Sequence, residues 1–375
     1  MRIAVNTRLL IKNKLEGIGW FAYESLKRIC VTHPEHEFFF IFDRKWDDEF
    51  VFAGNITPVS VMPQARHPLL YYLWFEHGIP KLLRKLKPDL FFSPEGFLPL
   101  RIKEKSVNVF HDLSFEHQPK NLPPVERFYC RRISPKCAGQ STRIATVSEY
   151  SKQDIVKTYG VNPDKIDVVY NGANTAYAPI SLEDQQEVRQ KFSDGNPYFL
   201  FVGALHPRKN LVNLFKAYDI FRRQYPDMFK LVIVGAKMYW TKDIEETYRK
   251  MVFRNDVIFT GRLNTTELKQ VLGSAHALTY VSYFEGFGIP IVEAFYCDTP
   301  VITSNVTSMP EVAGDAALLI NPFSANSIAE AMIEIASDDQ IRQNLIEKGR
   351  QRRKLFSWDQ TAERLWKTME QAIGE

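Results

Sequence analysis

The stretch Asp194-Gly-Asn-Pro-Tyr-Phe-Leu-Phe-Val-Gly203 decides the architecture. Its first four residues are turn formers, and the next five are apolar, of strand length, and end at a glycine. A strand that starts afresh after a turn-rich break marks the opening of a second domain. Upstream, β-rich runs at 3–5, 38–42, 59–61, 90–92, 106–110, 143–147 and 166–170 alternate with helical patterns, and the alternation lapses from 171 to about 196. Downstream it restarts, with runs at 198–202, 230–234, 257–259, 277–280, 300–303 and 317–320. Such alternation builds parallel sheets covered by helices. The expected fold class is therefore α/β, two doubly wound Rossmann-like domains facing across a cleft. The first is placed at 1–172, a linker at 173–196 and the second domain at 197–356, with an amphipathic crossover helix at 357–375 packing back on the first. Leu211, Leu214, Phe215, Tyr218 and Phe221 recur at helical spacing, with Asn210 as the expected N-cap.

Composition narrows the function classes. A chain of 375 residues is long for one core, and 45% apolar with 25% charged residues is ordinary for a globular protein. The four cysteines form no CxxC pair, which argues against a zinc ribbon and for a reduced, cytoplasmic setting. Met1 leads straight into the strand pattern Arg2-Ile-Ala-Val-Asn6, without the pattern of a signal peptide, and no apolar run approaches the roughly 20 residues of a membrane span. The net charge is +4, residues 1–170 holding +6 and residues 171–375 holding −2; this basic surplus of the first half is too small to imply nucleic acid, but it suits an anionic membrane face.

The segment Tyr283-Phe-Glu-Gly-Phe-Gly-Ile-Pro-Ile-Val-Glu293-Ala carries the most chemistry. Two carboxylates flank a glycine loop: Gly286 and Gly288 let backbone N–H groups approach a ligand, Pro290 opens a helix, and Glu293 lies one turn inside it. A carboxylate so placed can accept two hydrogen bonds from vicinal sugar hydroxyls. The same residues also read as a plain strand-to-helix turn with two solvated acids. Arg208 and Lys209, after Gly203 and before a helix, are either phosphate contacts or a solvated basic turn. His111 follows the run at 107–110 and stands at the carboxyl end of a strand; Asp112 beside it orients either the imidazole or the loop. His206 either touches phosphates or shapes its loop.

The Glu-x7-Glu spacing of Glu285 and Glu293, with Glu-Gly-Phe-Gly-Ile-Pro between and Pro300-Val-Ile-Thr-Ser304 after, resembles the donor-site signature of the retaining glycosyltransferases of family four, which have the GT-B fold. Gly17-Ile-Gly19, His111-Asp112, Thr146-Val-Ser-Glu149, Asn171-Gly172, the segment 203–209, Gly235, Gly261-Arg262 and Pro310-Glu-Val312 follow in the family's order across almost the whole chain. The resemblance implies a nucleotide-sugar donor held mainly by the second domain, with Arg208 and Lys209 on the diphosphate, Glu285 and the backbone of Gly286, Phe287 and Gly288 on the donor sugar, and Glu293 on the ribose. It implies that His111 contacts the sugar and acceptor region. Gly17 and Gly19 match the family's glycine loop toward the donor phosphate or acceptor, or are an ordinary βα turn. The chain departs from the family at Ala204, where many members carry Arg, and at Asp298, where Gly is usual.

The sequence contains no Asp-x-Asp, and His33-Pro-Glu-His36 is its one tight grouping of His, Cys and carboxylate residues, so no metal and no cofactor is expected at the donor site. Pro68-Leu-Leu-Tyr-Tyr-Leu-Trp-Phe75, followed by Lys81, Arg84, Lys85 and Lys87, reads either as a face resting on the inner membrane surface or as a core helix followed by a solvated one. The expected activity is retaining hexosyl transfer from a nucleoside-diphosphate sugar, GDP-mannose first and a UDP-sugar second, to a saccharide or lipid-linked acceptor. A non-catalytic nucleotide-sugar-binding subunit and a nucleotide-sugar epimerase are the rival readings. A dinucleotide oxidoreductase is disfavoured because no Gly-x-Gly-x-x-Gly follows an expected strand.

Overall fold

A computed structural model describes residues 1–225 and 227–375. They divide into two units, Met1–Asn171 with Trp358–Glu375, and Gly172–Ser357. The first unit holds a parallel seven-stranded sheet of order β3-β2-β1-β4-β5-β6-β7, with β1 at Arg2–Asn6, β2 at Glu37–Phe42, β3 at Ile56–Ser60, β4 at Leu90–Ser93, β5 at Lys105–Phe110, β6 at Arg143–Thr146 and β7 at Ile166–Val168. The second holds a parallel six-stranded sheet of order β10-β9-β8-β11-β12-β13, with β8 at Tyr198–Val202, β9 at Lys230–Val234, β10 at Val257–Gly261, β11 at Ala277–Tyr280, β12 at Val301–Ser304 and β13 at Leu318–Ile320. Every run read as a strand is one. The edge strand expected at 59–61 sits earlier and ends at Ser60: Val61 N still donates to the Phe42 carbonyl at 2.8 Å, but the Val61 carbonyl turns away to accept from the Trp74 indole N–H at 2.9 Å.

Helices on both faces explain the continuous rather than alternating apolar runs: Phe38, Phe40 and Ile41 in β2, and Tyr198 through Phe201 in β8, are all inaccessible. In the second unit the helix Leu211–Gln224 turns Leu211, Leu214, Phe215, Tyr218 and Phe221 onto the sheet beside Ile328, Met332 and Ile335 of Ala325–Ser337. Burying each such side chain contributes roughly 1.5–3 kcal/mol. Asn210 does not cap this helix as expected. Its backbone is left-handed, φ 64°, and its amide donates to the carbonyls of Val281 at 2.9 Å and Pro322 at 2.7 Å, tying two loops instead.

Residues 173–196, read above as a linker, fall in the second unit. The helix Leu182–Ser193 is capped by Ser181, buries Val188, and sends Arg189 to the Ser274 carbonyl at 3.0 Å. The C-terminal helix Trp358–Gly374 belongs to the first unit. Trp358 meets Phe21 edge-on, Asp359 pairs with Arg28 at 2.5 Å, and Thr361 donates to the Tyr170 carbonyl at 2.6 Å. Within Pro68–Phe75 the two readings split by residue: Trp74 and Phe75 are core, whereas Leu69, Tyr72 and Leu73 are exposed. Asp298 adopts φ 55° in place of the usual glycine, and its carboxylate accepts from Arg350 at 2.7 Å and Arg353 at 3.1 Å, which holds that conformation.

Glycines end the three strands that lead toward the loop 203–209. Gly203 donates to the Val234 carbonyl, and Gly235 to that of Gly261. At Gly235, φ 154°, a Cβ would stand 1.9 Å from the Gly203 oxygen, so no side chain fits without parting β8 from β9. We expect Gly235→Ala to destabilise the second unit by on the order of 4 kcal/mol, read as a lower midpoint in urea unfolding followed by second-unit Trp240 fluorescence. A midpoint within error of wild type would contradict the close approach.

Candidate functional site

In the second sheet the connections run outward from β8 to β9 on one side while β11 lies on the other, so a crevice opens at the carboxyl ends of β8 and β11. Both chemistry-bearing segments emerge there. The loop after β8 ends in the short turn Pro207–Lys209, capped by His206, whose Nδ1 accepts from Arg208 N at 3.2 Å. His206 thus shapes the loop. The loop after β11 is stitched to it, with Tyr283 N donating to the Arg208 carbonyl at 2.8 Å and the Arg208 guanidinium to the Phe284 carbonyl at 3.0 Å.

At the centre stands Glu285, buried, with one oxygen accepting from Arg208 at 2.8 Å and the other from Lys209 Nζ at 2.6 Å. Burial pushes its pKa up, but the charges of Arg208 and then Lys209 outweigh that and hold it down at about 2. Lys209 Nζ also meets the Tyr280 hydroxyl at 2.7 Å. The structure therefore brings Arg208, Lys209 and Glu285 together as one ionised cluster with a net charge of +1, where the sequence reading had given them separate contacts. Tyr280 was missed because a strand-end Tyr carries no signal beyond core packing.

The loop Gly286–Gly288 is clamped from below: Ser308 Oγ reaches the carbonyls of Glu285 at 2.9 Å and Phe287 at 3.1 Å, and Glu285 N donates to Thr307 Oγ1 at 3.3 Å. The Phe287 ring is buried edge-on against Phe356, so this residue offers a ligand only its backbone. Gly288, φ 106°, turns the chain into the helix Ile289–Tyr296, and Glu293 stands one turn inside it as expected. Its carboxyl accepts from the buried Tyr177 hydroxyl, and burial raises its pKa to about 7 against the lowering effect of that bond. Tyr177 lies in the stretch read as a linker, and only the fold reveals its partner.

In the first unit the corresponding crevice lies between β1 and β4. Gly17 opens the helix Gly17–Thr32 with free space around its Cα, whereas a Cβ on Gly19 would press on Leu15 and the Leu9 carbonyl. His111 directly follows β5, and Phe21 packs edge-on against its ring at 4.9 Å. Its Nε2 lies 2.8 Å from the Pro94 carbonyl; a carbonyl only accepts, so Nε2 carries the proton and the neutral ring keeps its lone pair on Nδ1. Burial lowers its pKa, favouring that neutral form. Asp112 accepts from Ser114 N at 2.9 Å and so shapes the loop rather than the imidazole. Sequence reasoning missed Arg8 and Glu95, a buried ion pair joined by Asn6, whose amide donates to Glu95 at 2.6 Å.

The raised pKa of Glu293 has a sign that can be measured. Its folded value, about 7, exceeds the ordinary 4.5, so the protonated acid is favoured on folding. That contribution is complete below about pH 4.5 and is lost as the pH rises through about 7. Glu293→Gln cannot ionise. Its Tm should gain on wild type by a few degrees between pH 5 and pH 8, and parallel Tm curves would remove the shift.

Comparison with known proteins bears on both units. Residues 183–352 match the family Glycosyl transferases group 1, and residues 34–177 match Glycosyltransferase Family 4. The O-antigen chain mannosyltransferase B of Escherichia coli is 28% identical over 93% of this chain and 94% of its own length, and the O-antigen chain mannosyltransferase RfbU of Salmonella typhimurium is 29% identical over 76% of each. Among solved structures, the sucrose-phosphate synthase of Thermosynechococcus elongatus superposes with a TM-score of 0.79 at 17% identity, over 100% of this chain and 99% of that one. With the Glycosyltransferase Family 4 match on the first unit, the Glycosyl transferases group 1 match on the second and most of the chain covered between them, the chain belongs to the glycosyltransferases that carry these two domains and has the GT-B fold.

Proposed function

We propose that this glycosyltransferase is a retaining, metal-independent mannosyltransferase that takes mannose from GDP-mannose and adds it to a saccharide or lipid-linked saccharide in surface polysaccharide synthesis. The observation that carries this reading is the ionised Arg208–Glu285–Lys209 cluster at the carboxyl ends of β8 and β11, within a chain similar over 93% and 76% of its length to two proteins named O-antigen mannosyltransferases. A UDP-sugar is the second donor in this reading.

Arg208 and Lys209 meet the diphosphate, stabilising the charge that grows as the anomeric carbon–oxygen bond to phosphate breaks. Two side-chain cations supply the charge that a chelated divalent ion supplies elsewhere, which is the support for metal independence. The backbone of Gly286, Phe287 and Gly288 holds the sugar, with Glu285 beneath it, and Glu293 takes the ribose hydroxyls. Because Glu285 is already paired with two cations, it is a poor covalent nucleophile. The acceptor hydroxyl then attacks the face the phosphate leaves, the new carbon–oxygen bond forms with retention, and the departing phosphate oxygen accepts the hydroxyl proton. His111, its Nδ1 lone pair open when neutral, accepts from a sugar hydroxyl.

Incubation with GDP-mannose, UDP-glucose, dTDP- and ADP-sugars in the presence of a chelator tests this directly. GDP-mannose should turn over and yield an α-linked product; turnover of no donor would leave the binding-subunit reading standing, and loss of activity on chelation would overturn metal independence. The two glutamates should then separate. Glu285→Gln should lower kcat by on the order of 100-fold while GDP affinity holds or rises, since the cations lose their competing carboxylate. Glu293→Ala should act on donor KM and weaken GDP in titration calorimetry. Equal loss of GDP affinity in both variants would sink this division of labour.

A lipid-linked acceptor is supported by the surface of the first unit. Leu69, Tyr72 and Leu73 are 63%, 38% and 37% exposed, and Phe128, on Pro124–Gln140, is 70% exposed. The two segments touch through Tyr71 and Tyr129, with exposed Lys81, Arg84, Lys85 and Lys87 on one and Arg131, Arg132 and Lys136 on the other. Exposed apolar side chains accompanied by exposed cations on the same and following elements suit an anionic lipid face. The double variant Leu69→Glu/Phe128→Glu should lose co-sedimentation with phosphatidylglycerol vesicles while retaining GDP binding; undiminished sedimentation would exclude this face.

A further inference from the structure

Between the helix Gly17–Thr32 and β2, the loop His33-Pro-Glu-His36 turns three donor side chains to one point. One ligand atom from each of His33, Glu35 and His36 lies within 4.8 Å of the others. A Glu35 carboxylate oxygen stands 3.3 Å from His36 Nε2 and 3.7 Å from His33 Nδ1. Tetrahedral zinc with bonds of about 2.0–2.1 Å sets its ligand atoms about 3.3–3.4 Å apart, so the two separations from Glu35 are already close to those of a filled site, and the two imidazole nitrogens lie within 4.8 Å of each other.

The loop is held on every side. His33 N donates to the Ile29 carbonyl, His36 N closes the turn onto the His33 carbonyl at 3.2 Å, and Asn55 donates to that same carbonyl at 3.1 Å. His36 turns Nδ1 to the Met1 nitrogen at 3.2 Å, leaving Nε2 for the shared point. Trp366, from the C-terminal helix, lies flat against both imidazoles, 3.9 Å from the His33 ring and 5.1 Å from that of His36, and the two imidazoles are within 6° of parallel. The rings are therefore fixed in orientation before any ion arrives, whereas Glu35, 59% exposed, is free to swing. Two imidazoles and one carboxylate are a donor set for a borderline divalent cation and not for Mg²⁺ or Ca²⁺.

We propose that His33, Glu35 and His36 form a binding site for a borderline divalent cation, Zn²⁺ foremost, that braces the first unit where its C-terminal helix docks. The site is built from residues of the first unit alone, whereas Arg208, Lys209 and Glu285 belong to the second, so it shares no residue with the proposed donor site. Binding fixes Glu35 over the loop and favours the conformation in which Trp366 covers it.

The test uses the full chain without a polyhistidine tag, stripped with a chelator and titrated with ZnCl₂ by calorimetry, with Mg²⁺ as the control. One ion per chain should bind, Mg²⁺ should not compete, and Tm should rise by about 5 °C at a hundredfold excess over Kd. His33→Gln and His36→Gln should each weaken binding by on the order of 100-fold, and Glu35→Gln by at least about 10-fold. Trp366→Phe, which removes no donor, should keep the stoichiometry but lose the Zn²⁺-dependent change in tryptophan emission. Absence of saturable binding, or equal affinity in wild type and both histidine variants, would overturn the assignment.

Discussion

The second unit is organised around one carboxylate taken out of water. Glu285 remains ionised in a buried position because Arg208 and Lys209 reach it from a different loop. Compared with apolar packing of the same volume, such a cluster adds little stability. What it adds is placement: it locks the loop after β8 to the loop after β11, and it leaves one unit of positive charge at the edge of the sheet. Tyr280 below and Ser308 beside it restrict the same groups further. The backbone ties between Tyr283 and Arg208, and between Asn210 and Val281, make the two loops a single surface.

That surface in turn depends on strand ends that approach closely. Gly203 and Gly235 are side by side because the second has no Cβ, and the loop 203–209 leaves β8 at the angle this contact sets. A basic pair two turns further along would point elsewhere if the strands parted. Asp298 illustrates the opposite solution, in which a residue with a side chain keeps a left-handed turn because Arg350 and Arg353 hold its carboxylate.

The strands were legible in the sequence because parallel strands covered on both faces are written as uninterrupted apolar runs, and few other elements are. The sequence placed Glu285, Arg208 and Lys209 in loops at strand ends and Glu293 one turn inside a helix, and the structure has them there, because turn and helix-start signals are local. What could not be read were partners far apart in the chain. Nothing local ties Tyr177 to Glu293, Tyr280 to Lys209 or Arg8 to Glu95, and each pair is made by the fold. Asn210 was misread because a residue before a helix has two uses, cap or left-handed tie, and the carbonyls that decide between them come from 71 and 112 residues away. Phe287 was read with the loop that contains it, but its ring obeys the core and packs on Phe356.

The return of Trp358–Gly374 to the first unit has a consequence for how the chain acquires its shape during synthesis. A ribosome delivers residues 1–171 long before it delivers the helix that covers Phe21, His33 and His36, so the earlier unit must wait with an apolar flank open to water. The unit made second is contiguous and can close first. The helix Trp358–Gly374, emerging after it, then completes the first unit, and a nascent chain stalled before Trp358 would carry one finished unit and one unfinished one, the kind of species that chaperones bind.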